Sequence, residues 1–487
     1  MNLLIGQSRK MTGYLIEVIN VKKPNILFIM SDEHAASVVG ASGNNIVKTP
    51  NLDKLADEGV LFENCYTPSP ICVPARLSVT AGKYINKCGA WSNESMLETD
   101  DIVSLATVLK DVDYDCYLGG KMHYAKDRRY GFEELYPFWT NTNVRKKYNK
   151  RIDLSDGKYQ KKESVLSRRF NDFYVDDNSR VMEHDEMVTK ICNDVIKNRQ
   201  KDDKPFFLLA GYLAPHFPLI VPQKYYDMYR DKVPMPEIPE GHIESLPKHY
   251  KIMRKAFQND QVDESIIKKG RELYYGLVTW FDEQVGELLN TLDDSEIKDN
   301  TLVIYTSDHG ENMGDHGLWW KNSMYDCSAK VPLIVSWPEK WCNGTRKTEV
   351  CNLLDVIKTI CDVCGAEPPK DWDGESMVNL INGKDDNWRN YSVSEYYAHN
   401  IAAGHCMIRK GNYKYVYFNE IDSNNGAERQ LFNMEKDPNE FNNLADDPKY
   451  KDIIEELHLL LVKELGREPI EIEMESREVI DKSNCKN

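Results

Sequence analysis

No stretch of this chain approaches the roughly 18 consecutive apolar residues that a membrane-spanning helix needs, so a soluble chain is expected. Its first twenty residues, MNLLIGQSRKMTGYLIEVIN, mix charges into short apolar pieces and lack a continuous apolar region ending in a small-residue cleavage site. The expectation is no signal peptide and a cytoplasmic location. Cysteine is sparse, 12 in 487 residues, which excludes a disulfide scaffold and leaves reduced thiols as the default. Neither Gly (27) nor Pro (21) is frequent enough for a collagenous or low-complexity chain. Positive charge is in deficit: 62 Lys and Arg against 78 Asp and Glu leave a net charge of −16, which repels phosphate backbones and anionic lipid. Nucleic acid and membrane are therefore not expected partners, and an anionic substrate needs a local cationic pocket. No internal repeat is present.

What is present is a globular composition, 41% hydrophobic and 10% aromatic, with strands alternating with helices. Short continuous apolar runs at Asn25–Met30, Tyr114–Leu118, Phe206–Ala210, Leu302–Thr306 and Val331–Val335 read as buried strands. Helical spacing or capping marks Pro50–Ala56, Ile102–Lys110, Ser265–Leu292 and Asn352–Cys364. This order predicts an α/β fold with a mostly parallel central sheet flanked by helices. From about residue 390 the alternating segments Ser392–Tyr397 and Tyr413–Phe418 and a final helix around Asp452–Leu465 predict a smaller C-terminal antiparallel subdomain. The expected divisions are an N-terminal extension (1–23), a catalytic domain (24–385), the subdomain (386–468) and an acidic, mobile tail (469–487). Residues 134–204 and 222–262, polar and lysine-rich, are expected to be insertions or surface excursions. Cys361 and Cys364 form a C-x-x-C, but they end an apolar helical stretch before Gly365, which predicts a buried helix end rather than a redox or zinc site.

Ligands in such sheets bind at the carboxyl ends of strands. Three of these strands run into polar sets: Asp32-Glu33-His34, Pro215-His216 and Asp308-His309. Asp32, Glu33, Asp308 and His309 suit a hard divalent cation, although each taken alone could be a helix cap or turn residue. Between them lies Cys72-Val73-Pro74-Ala75-Arg76. With a helix starting at Pro74, Cys72 sits at its N-terminus near the Arg76 guanidinium, where an anion is favoured. A buried, inert cysteine is the alternative.

Cys72-Val73-Pro74-Ala75-Arg76 resembles the signature of the formylglycine-dependent sulfatases of the alkaline-phosphatase-like superfamily. Lys48-Thr49-Pro50-Asn51-Leu52-Asp53, Gly120-Lys121-Met122-His123, Pro215-His216-Phe217-Pro218 and Ser307-Asp308-His309-Gly310 are similar to further elements of that family, in the same order over residues 24–450. The resemblance implies that Cys72 is oxidised by a maturing enzyme to formylglycine, whose hydrate is the nucleophile. It also implies one divalent metal, Ca²⁺ first and Mg²⁺ or Mn²⁺ otherwise, at Asp32, Glu33, Cys72, Asp308 and His309. Arg76 would hold hydrate and sulfate, Lys121 and Lys321 would supply positive charge, His123 would be base toward the hydrate and His216 acid toward the leaving oxygen. Asn93, Lys121, His216 and Lys321 would contact substrate.

The Asp308-His309 pair and Gly131-Phe132-Glu133 are closer in style to the choline-sulfatase and phosphonate-monoester-hydrolase branch than to arylsulfatases. The implied activity is hydrolysis of a sulfate ester of a sugar or small alcohol. A phosphonate monoester or phosphodiester hydrolase on the same site is the alternative, followed by an unmatured, non-catalytic anion-binding homologue; a homo-oligomer is possible. Trp91, Trp319, Trp320, Tyr396 and Tyr397 are candidates for a leaving-group pocket, with ordinary packing as the default. Asp315-His316 is read as a polar loop rather than a second metal site.

Overall fold

A computed structural model describes residues 23–141, 169–384, 387–398, 401–422 and 424–485, with side chains described to 480. Of the expected N-terminal extension only Lys23 is described, and the expected boundary at 385/386 lies outside the described residues. The strands in chain order are β1 (Asn25–Asp32), β2 (Val60–Tyr66), β3 (Asp115–Gly120), β4 (Glu133–Glu134), β5 (Phe173–Val175), β6 (Phe206–Pro215) and β7 (Leu219–Val221). They continue as β8 (Thr301–Ser307), β9 (Lys330–Ser336), β10 (Thr345–Asn352), β11 (Tyr391–Tyr396), β12 (His405–Lys410), β13 (Tyr413–Phe418) and β14 (Glu428–Asn433).

The main sheet has the order β10-β2-β9-β8-β1-β6-β3-β4. Only β9 runs against its neighbours; every other pairing is parallel. Strand periodicity of two explains why β1 is buried along its whole length. Leu27 and Ile29 enter one hydrophobic core with Leu208, Ala210, Val303 and Tyr305, while Ile26, Phe28 and Met30 enter a second with Phe207, Leu209, Leu302 and Ile304. The helices Arg180–Lys197 and Glu264–Asp293 cover the first face. Cys72–Ala81, Leu105–Lys110 and Leu353–Cys364 cover the second. Cys361 and Cys364 are fully buried at the end of the last of these, closed by left-handed Gly365, as the sequence predicts. A four-stranded antiparallel sheet, β11-β12-β13-β14, follows, and the Lys451–Leu465 helix adds Leu457 and Leu461 to the second core.

Two expectations are corrected. The acidic tail is a helix, Pro469–Cys485, whose Ile472 and Ile480 are buried in the second core and whose Glu473 accepts a hydrogen bond from Gly404 N at 3.0 Å. Charge along the segment hid an apolar stripe one residue wide. Nor is 222–262 a surface excursion, because Tyr225, Tyr229, Tyr250, Met253 and Phe257 belong to the first core. Within 134–204, the described Arg180–Lys197 helix likewise buries Val188, Cys192 and Ile196; residues 142–168 lie outside the described set. Among the described residues no helix is long and apolar enough to cross a membrane.

If the terminal helix is part of the core, Ile472→Ala removes fully buried methyl groups. The expected cost is about 2–5 kcal/mol, read as a lower denaturation midpoint at unchanged slope. A mobile tail would leave the midpoint unmoved.

Candidate active site

The strand order alone assembles the site. β8, β1, β6 and β3 are neighbours, and their carboxyl ends deliver Asp308-His309, Asp32-Glu33, His216 and Lys121 to one rim of the sheet. Glycine permits the closest approach: Gly120 has φ 95°, and a Cβ there would stand 2.1 Å from Gly211 O. Lys121 N then donates to Gly211 O at 2.7 Å, which turns the Lys121 chain over the end of β6.

The Cys72–Ala81 helix begins at Cys72 itself, two residues earlier than expected, and all ten of its residues are buried. Asn93 Oδ1 accepts from Val73 N at 3.1 Å, satisfying one of the first helical N–H groups. This gives Asn93 a positioning role at the cysteine. Cys72 Sγ lies 3.2 Å from His309 Nε2, 3.3 Å from Lys321 Nζ and 3.7 Å from Asp32 Oδ1.

Arg76 is one turn further along and fully buried. Its Nε donates to Asp308 Oδ2 at 2.7 Å, Nη1 to Lys121 O at 2.7 Å, and Nη2 to Asp32 Oδ2 at 3.0 Å and Ser31 O at 3.2 Å. Every face of the guanidinium is committed. It clamps the ends of β1, β8 and β3 together. Lys121 Nζ pairs with the same Asp32 carboxylate. Burial pushes the Asp32 pKa up, but Lys121, His216 and Arg76 outweigh it and hold the carboxyl well below the usual range.

Glu33, in a left-handed conformation (φ 66°), forms a second knot. Its Oε2 is 2.9 Å from Lys321 Nζ and 3.2 Å from His216 Nε2. Burial opposes its ionisation, yet Lys321 and His216 bring its pKa down to about 2. Beside it lies Glu311, which the sequence reading missed. Burial and the Glu33 charge push the Glu311 pKa well above the usual range. Glu311 Oε1 accepts from Met313 N at 2.8 Å and Trp320 N at 2.6 Å, fixing the loop that carries Lys321.

The histidines show what this set of groups suits. His309 Nδ1 is 2.9 Å from Gly310 O and His216 Nδ1 is 2.6 Å from Phe217 O, so a neutral ring at either place carries its proton on Nδ1 and presents a lone pair at Nε2; burial opposes a charge on His309, but Asp308 raises its pKa to about 9, which puts a proton on its Nε2 where nothing else lies between it and the carboxylates. Both Nε2 atoms face carboxylates: His309 at 3.6 Å from Asp308 and 4.0 Å from Asp32, His216 at the Asp32 and Glu33 oxygens. Lone pairs facing anions require a cation or a proton between them, and a histidine tied to a backbone carbonyl through its other nitrogen is the usual posture of a metal ligand. Asp32, Cys72, Asp308 and His309 offer ligand atoms within 4.8 Å of one another, as do Asp32, Glu33 and His216. The donor set fits a hard divalent cation.

His123 follows Lys121 by two residues in a left-handed conformation (φ 57°). The aromatic candidates are buried: Trp319 and Trp320 pack with Phe170 and Phe173, and Trp91 stands edge-on to Tyr397. Tyr396 is also buried. His316 stacks on Tyr325 and meets His242, and Asp315 pairs with Arg271, in keeping with a structural loop.

A family model described as Sulfatase matches residues 24–366, and one described as N-sulphoglucosamine sulphohydrolase, C-terminal, matches residues 314–466. The chain belongs to the sulfatase family. This sulfatase is 33% identical to a choline-sulfatase of Rhizobium meliloti, over 88% of this chain and 83% of the relative. It is 30% identical to an arylsulfatase of Clostridium perfringens, over 92% and 95%. Its fold is shared with the phosphonate monoester hydrolase of Agrobacterium radiobacter at a TM-score of 0.74 and 23% identity, covering 91% of this chain and 96% of the other. The resemblance to the choline-sulfatase and phosphonate-monoester-hydrolase branch therefore holds, and the chain is a sulfuric ester hydrolase by family.

Since the Glu311 pKa is raised well above the usual range, Glu311→Gln should preserve its acceptor and keep stability within about 1 kcal/mol, whereas Glu311→Ala strands two backbone N–H groups at about 1–3 kcal/mol each. Denaturation of both variants checks this. A gain of several kcal/mol in Glu311→Gln would show an ionised, repelling pair instead.

Proposed function

We propose that this sulfatase hydrolyses the sulfate ester of a sugar or small alcohol, using formylglycine made from Cys72 and one divalent cation. The position of the Cys72 sulfur carries the reading: it lies at a buried helix start, within 3.7 Å of an imidazole nitrogen, an ammonium and a carboxylate. That sulfur marks where the hydrated aldehyde would stand once a maturing enzyme has acted.

One hydroxyl of the hydrate attacks sulfur, the S–O bond to the alcohol breaks, and the alcohol oxygen takes a proton. Deprotonation of the second hydroxyl then expels sulfate and restores the aldehyde, which water rehydrates. Asp32, Asp308 and His309 would hold the cation, with Glu33 adding an oxygen from the neighbouring triad. Ca²⁺ suits a carboxylate-rich set best, with Mg²⁺ or Mn²⁺ also compatible. When bound, the ion would acidify the attacking hydroxyl and neutralise sulfate charge.

Lys321, between Glu33 and the nucleophile, and Lys121, on Asp32, supply the local positive charge that the net −16 denies elsewhere. Arg76 keeps the strand ends in register and Asn93 sets the helix start. Burial, then Lys321, hold the His216 pKa well below its usual value, so the ring is neutral at rest. An arriving sulfate adds negative charge that favours a proton on Nε2, and His216 then donates it to the leaving oxygen. His123 removes the proton of the remaining hydroxyl.

The phosphonate monoester hydrolase that shares this fold supports a second reading, hydrolysis of phosphonate monoesters or phosphodiesters at the same site. Rates on matched sulfate and phosphonate esters separate the two.

Matured enzyme should release sulfate from sulfated sugars or aryl sulfates. Chelation followed by dialysis, Asp308→Asn and Cys72→Ala should each reduce release to background with the fold intact by circular dichroism. Full rate in metal-free protein, verified by elemental analysis, would overturn the metal assignment. His216→Ala should impair esters of poor leaving groups far more than activated aryl esters, while His123→Ala should slow all alike and accumulate sulfated intermediate. Equal accumulation in both variants would overturn that division.

A further inference from the structure

Next to the active site stands a cation that the reaction above does not use. Arg169, partly buried, places its guanidinium carbon 3.7 Å from the centre of the Phe217 ring and 5.6 Å from that of Trp320. The His216 imidazole lies 4.0 Å from the same Phe217 ring. Two flat groups cannot both approach a ring centre this closely from one face, so Phe217 is sandwiched between Arg169 and the proposed proton donor. Lys321 Nζ is 5.4 Å from that ring centre too.

Phe217 thus ties Arg169 to the leaving-group side of the site. Among the described residues no carboxylate lies within ion-pairing distance of Arg169, whereas Arg76, Lys121 and Lys321 each have one. Burial draws its pKa down to about 10; the charge of Glu33 in the site favours its protonated form. The sulfate to be cleaved is already served by Lys121 and Lys321.

We infer that Arg169 is a specificity residue that pairs with a second anionic group, a carboxylate or another sulfate, on the alcohol part of the substrate. The inference rests on the sulfatase reading and narrows it to sulfate esters of acidic or multiply sulfated sugars. It also disfavours a quaternary ammonium alcohol: the faces of Phe217 and Trp320 that could hold such a cation by cation–π contact are taken by a guanidinium that repels it. A relationship to a choline-sulfatase does not by itself carry choline sulfate to this chain. A solved protein of the same fold, at a TM-score of 0.69 and 21% identity, holds D-glucosamine-2-N,6-O-disulfate as its substrate, a ligand with two anionic groups.

The test compares matched pairs of sulfate esters on wild type, Arg169→Ala and Arg169→Lys: glucosamine 6-O-sulfate against its 2-N,6-O-disulfate, and phenyl sulfate against 4-carboxyphenyl sulfate. Wild type should prefer the dianionic member of at least one pair in kcat/KM. A charge-assisted hydrogen bond of about 1.5–3 kcal/mol corresponds to roughly ten- to a hundredfold. Arg169→Ala should lose that factor and Arg169→Lys should restore part of it. Using a ratio within each variant cancels any general loss of folding or maturation. The same preference should appear without turnover, as greater thermal stabilisation of Cys72→Ala protein by the dianionic ester that disappears in the double variant with Arg169→Ala. No preference in wild type, or a preference that survives Arg169→Ala, would overturn the role of Arg169. Loss of turnover on every ester with the stabilisation pattern intact would overturn the catalytic reading and leave Arg169 assigned.

Discussion

The site hangs on one guanidinium. Arg76 reaches from the second turn of the Cys72–Ala81 helix to Asp308 and Asp32 at the ends of two adjacent parallel strands, and to the backbone of Ser31 and Lys121. Two carboxylates converging at a buried strand edge would repel each other, and uncompensated buried charge costs several kcal/mol per ion. By bridging them, Arg76 makes the convergence stable, and because it belongs to the same helix as Cys72 it fixes the nucleophile's position against the same two strands.

Around that clamp the charges are layered. Asp32 is paired with Arg76 and Lys121 and Asp308 with Arg76, while Glu33 is held by Lys321, with Glu311 behind it. Burial raises the strength of each interaction. The outcome is a buried knot of paired charges inside a strongly acidic protein, Arg76, Lys121 and Lys321 against Asp32, Glu33 and Asp308, with the Nε2 atoms of two histidines turned toward carboxylate oxygens. Such an arrangement suits a divalent cation and a tetrahedral anion together, the two components that sulfate-ester chemistry brings.

Much of this was legible in the chain. The continuous apolar runs of β1, β6 and β8 announced a sheet buried on both faces, and the polar residues ending those runs announced the site. β2 and β10 were harder to see because Glu63 and Asn64 interrupt one, and the other, an edge strand, carries Arg346, Lys347 and Glu349. The terminal helix hid because only a narrow stripe, Ile472 and Ile480, meets the core amid acidic residues. Glu311 and Arg169 were invisible for a different reason. Their roles come from distance to Glu33 and Phe217, residues far away in sequence, and a carboxyl's protonation depends on which charges the fold brings beside it.

Everything proposed for catalysis depends on the chemical identity of the group at position 72. The most direct measurement is mass analysis of the peptide containing Cys72 from protein that is actively releasing sulfate, taken before and after reaction with an aldehyde-specific reagent. The expected result is an aldehyde in place of the thiol, in a fraction of molecules that scales with specific activity. A preparation with an unmodified thiol at Cys72 throughout and undiminished sulfate release would contradict it.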